Sequence, residues 1–194
     1  MKKKCLIFLT IVIFGACSST DLDRTIFIPD EDDPILPAYT EWGYNSFGAK
    51  YERDYFLSSN YIVPCKILYN NGLLYFSLNG RIRENKEMTL LIIFPFSQMV
   101  DYKDLMQLHD LEIALSDDFC EVKILQDGKE DILDVISGKL HFKRVHLLSI
   151  DDIENRVILS GVFHLNFREN IFQSTISNGR FDLGINNNFF ESYL

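Results

Sequence analysis

At 194 residues, 47% apolar and 24% charged, the chain is long enough for one ordinary domain and too apolar for wholesale disorder. Nineteen Lys and Arg against 28 Asp and Glu give a formal charge of −9, which argues against nucleic acid or an anionic membrane surface as the main partner. Four cysteines, none at zinc-site spacing, argue against a disulfide-dense scaffold or a zinc module, while sixteen Phe and nine Tyr beside ten Gly suit a β-rich chain.

The chain opens with Lys2, Lys3 and Lys4, followed by an apolar run of nine residues, Leu6–Phe14, interrupted only by Thr10. That run is too short to cross roughly 30 Å of hydrocarbon, which takes about 20 helical residues. It has the length of a secretory h-region. Gly15 and Ala16 then precede Cys17, with Ser18, Ser19 and Thr20 behind it. The arrangement resembles a bacterial lipoprotein signal, with Phe14 standing where Leu is usual. The resemblance implies that residues 1–16 are removed and that Cys17 is diacylated, anchoring the chain to the outer membrane, since two acyl chains hold where one binds only marginally. Without residues 1–16 the chain keeps 16 basic and 28 acidic side chains, a formal −12.

Residues 17–40 read as a flexible acidic tether. Asp21, Asp23 and the run Asp30-Glu31-Asp32-Asp33 repel one another, and Pro29, Pro34 and Pro37 block regular ladders. The acidic run lacks the alternating oxygens, turn Gly and distal Glu of a calcium loop.

Residues 41–194 read as a single β-rich domain. Tyr39, Trp42, Tyr44, Phe47, Tyr51, Tyr55, Phe56 and Tyr61 crowd its start. Such rings either wrap the sheet and close the core or form a binding surface for sugar rings or a protein, with Trp42, Tyr44, Tyr51 and Tyr55 as candidate contacts; Trp42 and Phe56 are expected as core anchors in either case. Tyr61–Tyr69 and Leu73–Asn79 flank Asn71-Gly72, a strong hairpin signal. Met88–Phe94 is a continuous apolar run, predicted to be a strand buried on both faces. Tyr102–His109 reads as a short helix, and Leu111–Leu115, Cys120–Gln126 and Lys139–Leu147 as strands.

The strongest periodicity lies in Arg156–Arg168. Val157, Leu159, Gly161, Phe163, Leu165 and Phe167 fall on one face, and Ile158, Ser160, Val162, His164, Asn166 and Arg168 on the other. Gly161 inside this strand predicts a bulge or bend. Phe172–Ser177 and Arg180–Ile185 follow, separated by an expected break at Asn178-Gly179. Eight to ten strands with tight turns and at most one short helix predict an all-β fold, an antiparallel β-sandwich or a partly closed β-barrel.

The stretches Gly138–Phe142 (GKLHF), Val157–Leu165 (VILSGVFHL) and Ile176–Leu183 (ISNGRFDL) resemble the ending of small uncharacterised Bacteroides-type lipoproteins. Those chains close with a strand reading SGxFxF, a loop, and a last strand reading xITxGxFD. The likeness covers residues 138–185, departing at Val162, where Thr is common, and in a long insertion around residues 96–135. It implies an envelope-anchored β-rich domain and carries over no catalytic residue.

No nucleophile elbow, metalloprotease helix or phosphate loop occurs in the sequence, and no motif asks for a cofactor. His141 and His146, five apart on a strand, are expected on opposite faces and so unable to share a metal; His164 is expected to face solvent. The paired acids Asp117-Asp118 and Asp151-Asp152 sit at expected turns, where Asp caps backbone N–H groups. Cys65 and Cys120 either close a disulfide, contributing on the order of 4 kcal/mol by loop-closure entropy, or remain two reduced thiols. The chain is therefore expected to be a non-enzymatic binding or interaction module facing the periplasm or the cell surface, with a glycan or envelope protein as partner. The alternatives are a structural accessory subunit of an envelope complex and, more distantly, a lipocalin-like carrier with an apolar cavity.

Overall fold

The computed structural model describes residues 22–59, 63–82, 85–151, 153–169 and 172–193. The expected signal segment 1–16, the lipidation candidate Cys17, and the first residues of the expected strand Tyr61–Tyr69 lie outside them. The fold is all-β. Twelve strands form one continuous sheet: β1 (Ser46–Tyr51), β2 (Asp54–Ser58), β3 (Cys65–Asn70), β4 (Leu73–Ile82), β5 (Lys86–Pro95), β6 (Leu111–Ala114), β7 (Glu121–Gln126), β8 (Lys129–Ile132), β9 (Asp134–Ile150), β10 (Ile153–Glu169), β11 (Phe172–Ile185) and β12 (Phe190–Tyr193). Pairing is antiparallel except between β12 and β3.

The sheet folds on itself into two halves instead of closing into a barrel. One half runs β6-β9-β10-β11-β1-β2 and the other β12-β3-β4-β5-β7-β8. They join only where Leu57 and Ser58 of β2 pair Arg81 and Gly80 of β4. Because β4 and β9 are distant in strand order, ring contacts between them require the halves to face each other. Phe76 on β4 meets Phe142 on β9 at 5.3 Å and Phe181 on β11 at 5.4 Å between centroids. Phe47, Phe56, Phe163 and Phe167 are fully or almost fully buried in the same core. A 3-10 helix, Tyr102–Leu108, follows β5, with Asp101 and Asp104 forming a capping box and Tyr102, Leu105 and Leu108 buried.

The expected face of β10 is the core face: Val157, Leu159, Phe163, Leu165 and Phe167 are all buried. The bulge at Gly161 is present, since the pairing with β9 shifts between Ser160 and Val162. A Cβ there would stand 2.2 Å from the His141 carbonyl oxygen. The expected break at Asn178-Gly179 is not one. β11 runs through it, with a second register shift opposite Phe163 and Leu165, and Asn178 takes a left-handed φ of 53°. Asn-Gly supplies the same backbone freedom to a bulge as to a turn, so the dipeptide alone does not separate the two. Met88–Phe94 is buried on both faces only at its end, because Thr89 and Leu91 are half exposed.

A further correction concerns the tether. Residues 22–40 lie against the outer face of β10, β11 and β1, and we term them the strap. Arg156, Ile158, Ser160 and Asp182, on the face opposite the core, are buried. Arg156 donates to the Leu22 carbonyl at 2.7 Å and pairs Asp23 at 3.1 Å. Asp30 pairs Arg180, Asp33 pairs Lys50, and Leu36 is fully buried. Three of the acids that imply self-repulsion in isolation, Asp23, Asp30 and Asp33, are each placed opposite a base of the sheet.

Candidate functional site

The face of β9, β10 and β11 beside the strap carries two adjoining open grooves of about 640 and 470 Å³, and Tyr39 lines both. Their floor is set by the Gly161 bulge. Leu140, Phe142, Val145 and Leu147 of β9 pack toward the core. The extra residue opposite Gly161 therefore leaves both Lys143 and Arg144 exposed on the outer face. It also shifts the phase of the strand, so His141 and His146 share that face, contrary to the strict alternation expected. They still do not meet. His141 contacts Asp110 at 3.0 Å and Glu112 at 3.4 Å, while His146 lines the smaller groove with Arg144 and Trp42. Among the described residues no group of three metal-ligating side chains occurs.

One carboxylate holds the wall of the smaller groove. Asp182, 2% exposed on β11, accepts from Thr40 Oγ1 at 2.6 Å, from the N–H groups of Trp42, Gly43 and Tyr44 at 3.1, 2.7 and 3.2 Å, and from Ser160 Oγ at 3.0 Å. The loop can wrap this carboxylate because Gly43 sits at φ 75°, in contact with β10; a Cβ there would stand 2.4 Å from Ile158 Cδ1. Beside it, the buried Asn45 donates to the Leu22 and Arg24 carbonyls and accepts from Gly184 N–H. Residues 42–44 are thereby anchored to Asp182 through their backbone N–H groups, and the Trp42 ring is left 72% exposed at the groove.

The other groove groups are mutually oriented. Tyr39 donates to Glu41 at 3.0 Å, and burial together with that carboxylate holds its phenol above the ordinary tyrosine range. The Lys143 ammonium stands 4.6 Å from the Tyr39 ring centroid. Arg144 reaches Glu41 at 3.3 Å. Burial, and secondarily Arg144, lowers the His146 pKa from 6.5, and its Nδ1 is sealed without a hydrogen-bond partner among the described residues.

The four aromatic candidates are not brought together. Trp42 lines the groove, but it is exposed and not the core anchor expected, whereas Phe56 is fully buried. Tyr51 stacks on Phe167 at 6.3 Å, against the core. Tyr55 pairs Lys50 across β1 and β2, so it faces the opposite way, donating to Asp33 at 3.3 Å. Tyr44 is half buried where its backbone meets Asp182 and Ile26. Sequence reasoning missed Tyr39 and Arg144, which line the groove with Trp42, and Lys143, which lines the adjoining one; the Gly161 signal could have found the two cations, since a bulge turns consecutive residues outward.

Cys65 and Cys120 are both free, so the candidate disulfide is not formed. Cys65 is buried at the start of β3, and burial pushes its thiol far up; Cys120 is half buried and pushed up to about 11 by burial and, secondarily, by Asp117. No family model, curated protein or solved structure matches the chain.

Proposed function

We propose that the chain is an envelope-anchored lipoprotein, tethered to the outer membrane through acylated Cys17, and that its body is a non-enzymatic binding module recognising a glycan. The observation that carries this reading is Trp42: a loop fixed by four hydrogen bonds to one buried carboxylate presents a ring that is 72% exposed. Ordering a loop costs conformational entropy, and an outward Trp returns none of it through core packing. A flat apolar face over one groove, with Asn166, Thr175 and Ser177 lining the adjoining one across Tyr39, supplies what a sugar needs, a ring platform with polar atoms nearby. The carrier reading requires a hollow barrel, whereas this sheet is open and its interior is filled by phenylalanines.

Glycan-array binding by the full chain tests the site. Trp42→Ala together with Tyr39→Ala abolishes the signal if the groove binds; an undiminished signal refutes it. Mass spectrometry of the purified protein tests the anchor, with diacylated N-terminal Cys17 expected and an unmodified Cys17 refuting it. A second reading, a structural subunit of an envelope complex, has its own observation: Phe119 is 81% exposed beside an apolar groove lined by Phe94, Phe96 and Ile113. Crosslinking in native membranes that yields a stoichiometric partner through Phe119 favours it.

A further inference from the structure

We propose that the two adjoining grooves, joined at Tyr39, select acidic saccharides, taking a sugar ring on Trp42 in the smaller groove and a uronate carboxylate on Lys143 in the larger. The proposal deepens the glycan reading above and rests on it.

Its basis is an imbalance of charge pairing. Strands β9, β10 and β11 carry six Lys and Arg residues, in a chain whose formal charge is −9. Five of them are paired: Lys139 with Glu112, Arg144 with Glu41, Arg156 with Asp23, Arg168 with Asp134 and Arg180 with Asp30. Lys143 differs. Among the described residues its ammonium meets no carboxylate and faces only the Tyr39 ring. An acidic surface offers many partners for a flexible lysine, yet this one is held in the larger groove against Tyr39, which lines both grooves, with His164 and Arg180 lining the larger. An unpaired cation one aromatic residue away from the groove of the exposed indole matches a saccharide that bears a negative charge. Cation-to-ring contact also fixes the ammonium over the groove before a ligand arrives.

A sugar acid fits better than an acidic peptide for two reasons. The larger groove is shallow and open and holds no deep apolar cavity for side chains, and its uncharged polar lining includes Asn166, Thr175, Ser177 and Asn178, which match hydroxyl groups. Glu41 lies across from Lys143 on Tyr39 and sets a limit: it favours a single carboxylate placed on the Lys143 side over a dense polyanion.

Trp42 is the sole tryptophan of the sequence, so intrinsic fluorescence reports on this site alone. The full-length chain in detergent is titrated with an oligogalacturonate and with the same oligomer after carboxyl reduction, which is neutral and otherwise identical. The proposal expects the uronate to shift Trp42 emission to the blue and to bind about tenfold more tightly than the reduced oligomer, the scale of one charge-assisted contact. Lys143→Gln removes that preference, and Glu41→Gln enlarges it. Equal binding of both oligomers overturns the acid selectivity while leaving the glycan site standing. Binding of neither, with Trp42 emission unmoved, overturns the glycan reading together with it. An oligoglutamate of matched charge that binds as tightly as the uronate overturns the saccharide assignment.

Discussion

The backbone N–H of Trp42 donates to the Asp182 carboxylate at 3.1 Å, linking a ring that is 72% exposed to an acid that is 2% exposed and 140 positions away. The site is thus fixed from below, through the backbone, and its ring is free to contact a ligand. Asp182→Ala leaves Thr40, Ser160 and the N–H groups of residues 42–44 without their acceptor. The expected loss is about 3 kcal/mol, measured by urea unfolding. Trp42→Ala, removing an exposed ring, changes stability by no more than about 0.5 kcal/mol. Equal losses for the two variants would show that the Trp42 side chain, and not its backbone, carries the loop.

The corner between the sheet halves is as specific. A Cβ on Gly80 would stand 2.3 Å from the Leu57 carbonyl oxygen and 2.6 Å from Phe47 Cζ, at the short β2–β4 ladder. Gly80→Ala is therefore expected to cost about 1–3 kcal/mol through overpacking against backbone. Thermal unfolding monitored by far-UV circular dichroism checks it. An unchanged midpoint would mean that the corner is not this tight.

Acid should release the strap. Lys50, against the opposing effect of burial, holds the Asp33 carboxyl below 3.8. Burial pushes the Asp30 carboxyl upward, but the Asp33 N–H and the Arg180 guanidinium outweigh it and hold it below 3.8 as well. Both groups bind protons more readily in the unfolded state. Their contribution is complete above pH 3.8 and is lost as pH falls through the lower folded values. Pepsin should consequently spare residues 22–40 at pH 4 and cut them only in stronger acid, whereas Asp30→Asn with Asp33→Asn is cut at pH 4. Cleavage of the unaltered strap at pH 4 would restore the mobile tether.

The thiols should respond differently to a maleimide. Cys120, pushed up to about 11, reacts slowly at pH 8 and faster as pH rises toward that value. Cys65, buried and displaced further, reacts only when the chain unfolds. Mass spectrometry of labelled peptides checks the order; a Cys65–Cys120 linked peptide from native membranes would contradict it.

Strand grammar made much of the fold legible. The alternation in Val157–Phe167, the Asn71-Gly72 hairpin and the Tyr102–Leu108 helix each follow from patterns within a few residues. The segment 46–58 was harder to read, because its aromatics served equally well as a covering layer, and β1 and β2 form there by pairing β11 and β4, more than 20 residues away in sequence. β8 has four exposed residues and β12 four at the chain end, too short to carry a period. In the site, only Trp42 of the four candidates stays in the groove. Period-two alternation fails at the bulge opposite Gly161, which is where Arg144 joins Lys143 on the outer face.

By itself the sequence determined that the chain is all-β, where its longest strand is buried, and which glycine bends it, because these are properties of neighbouring residues on a pleated backbone. Only the tertiary structure decided that the acidic strap docks and that one carboxylate at Asp182 shapes the loop under Trp42. Those outcomes depend on which charges and donors the fold brings together across more than 100 positions, and a local pattern has no access to that distance.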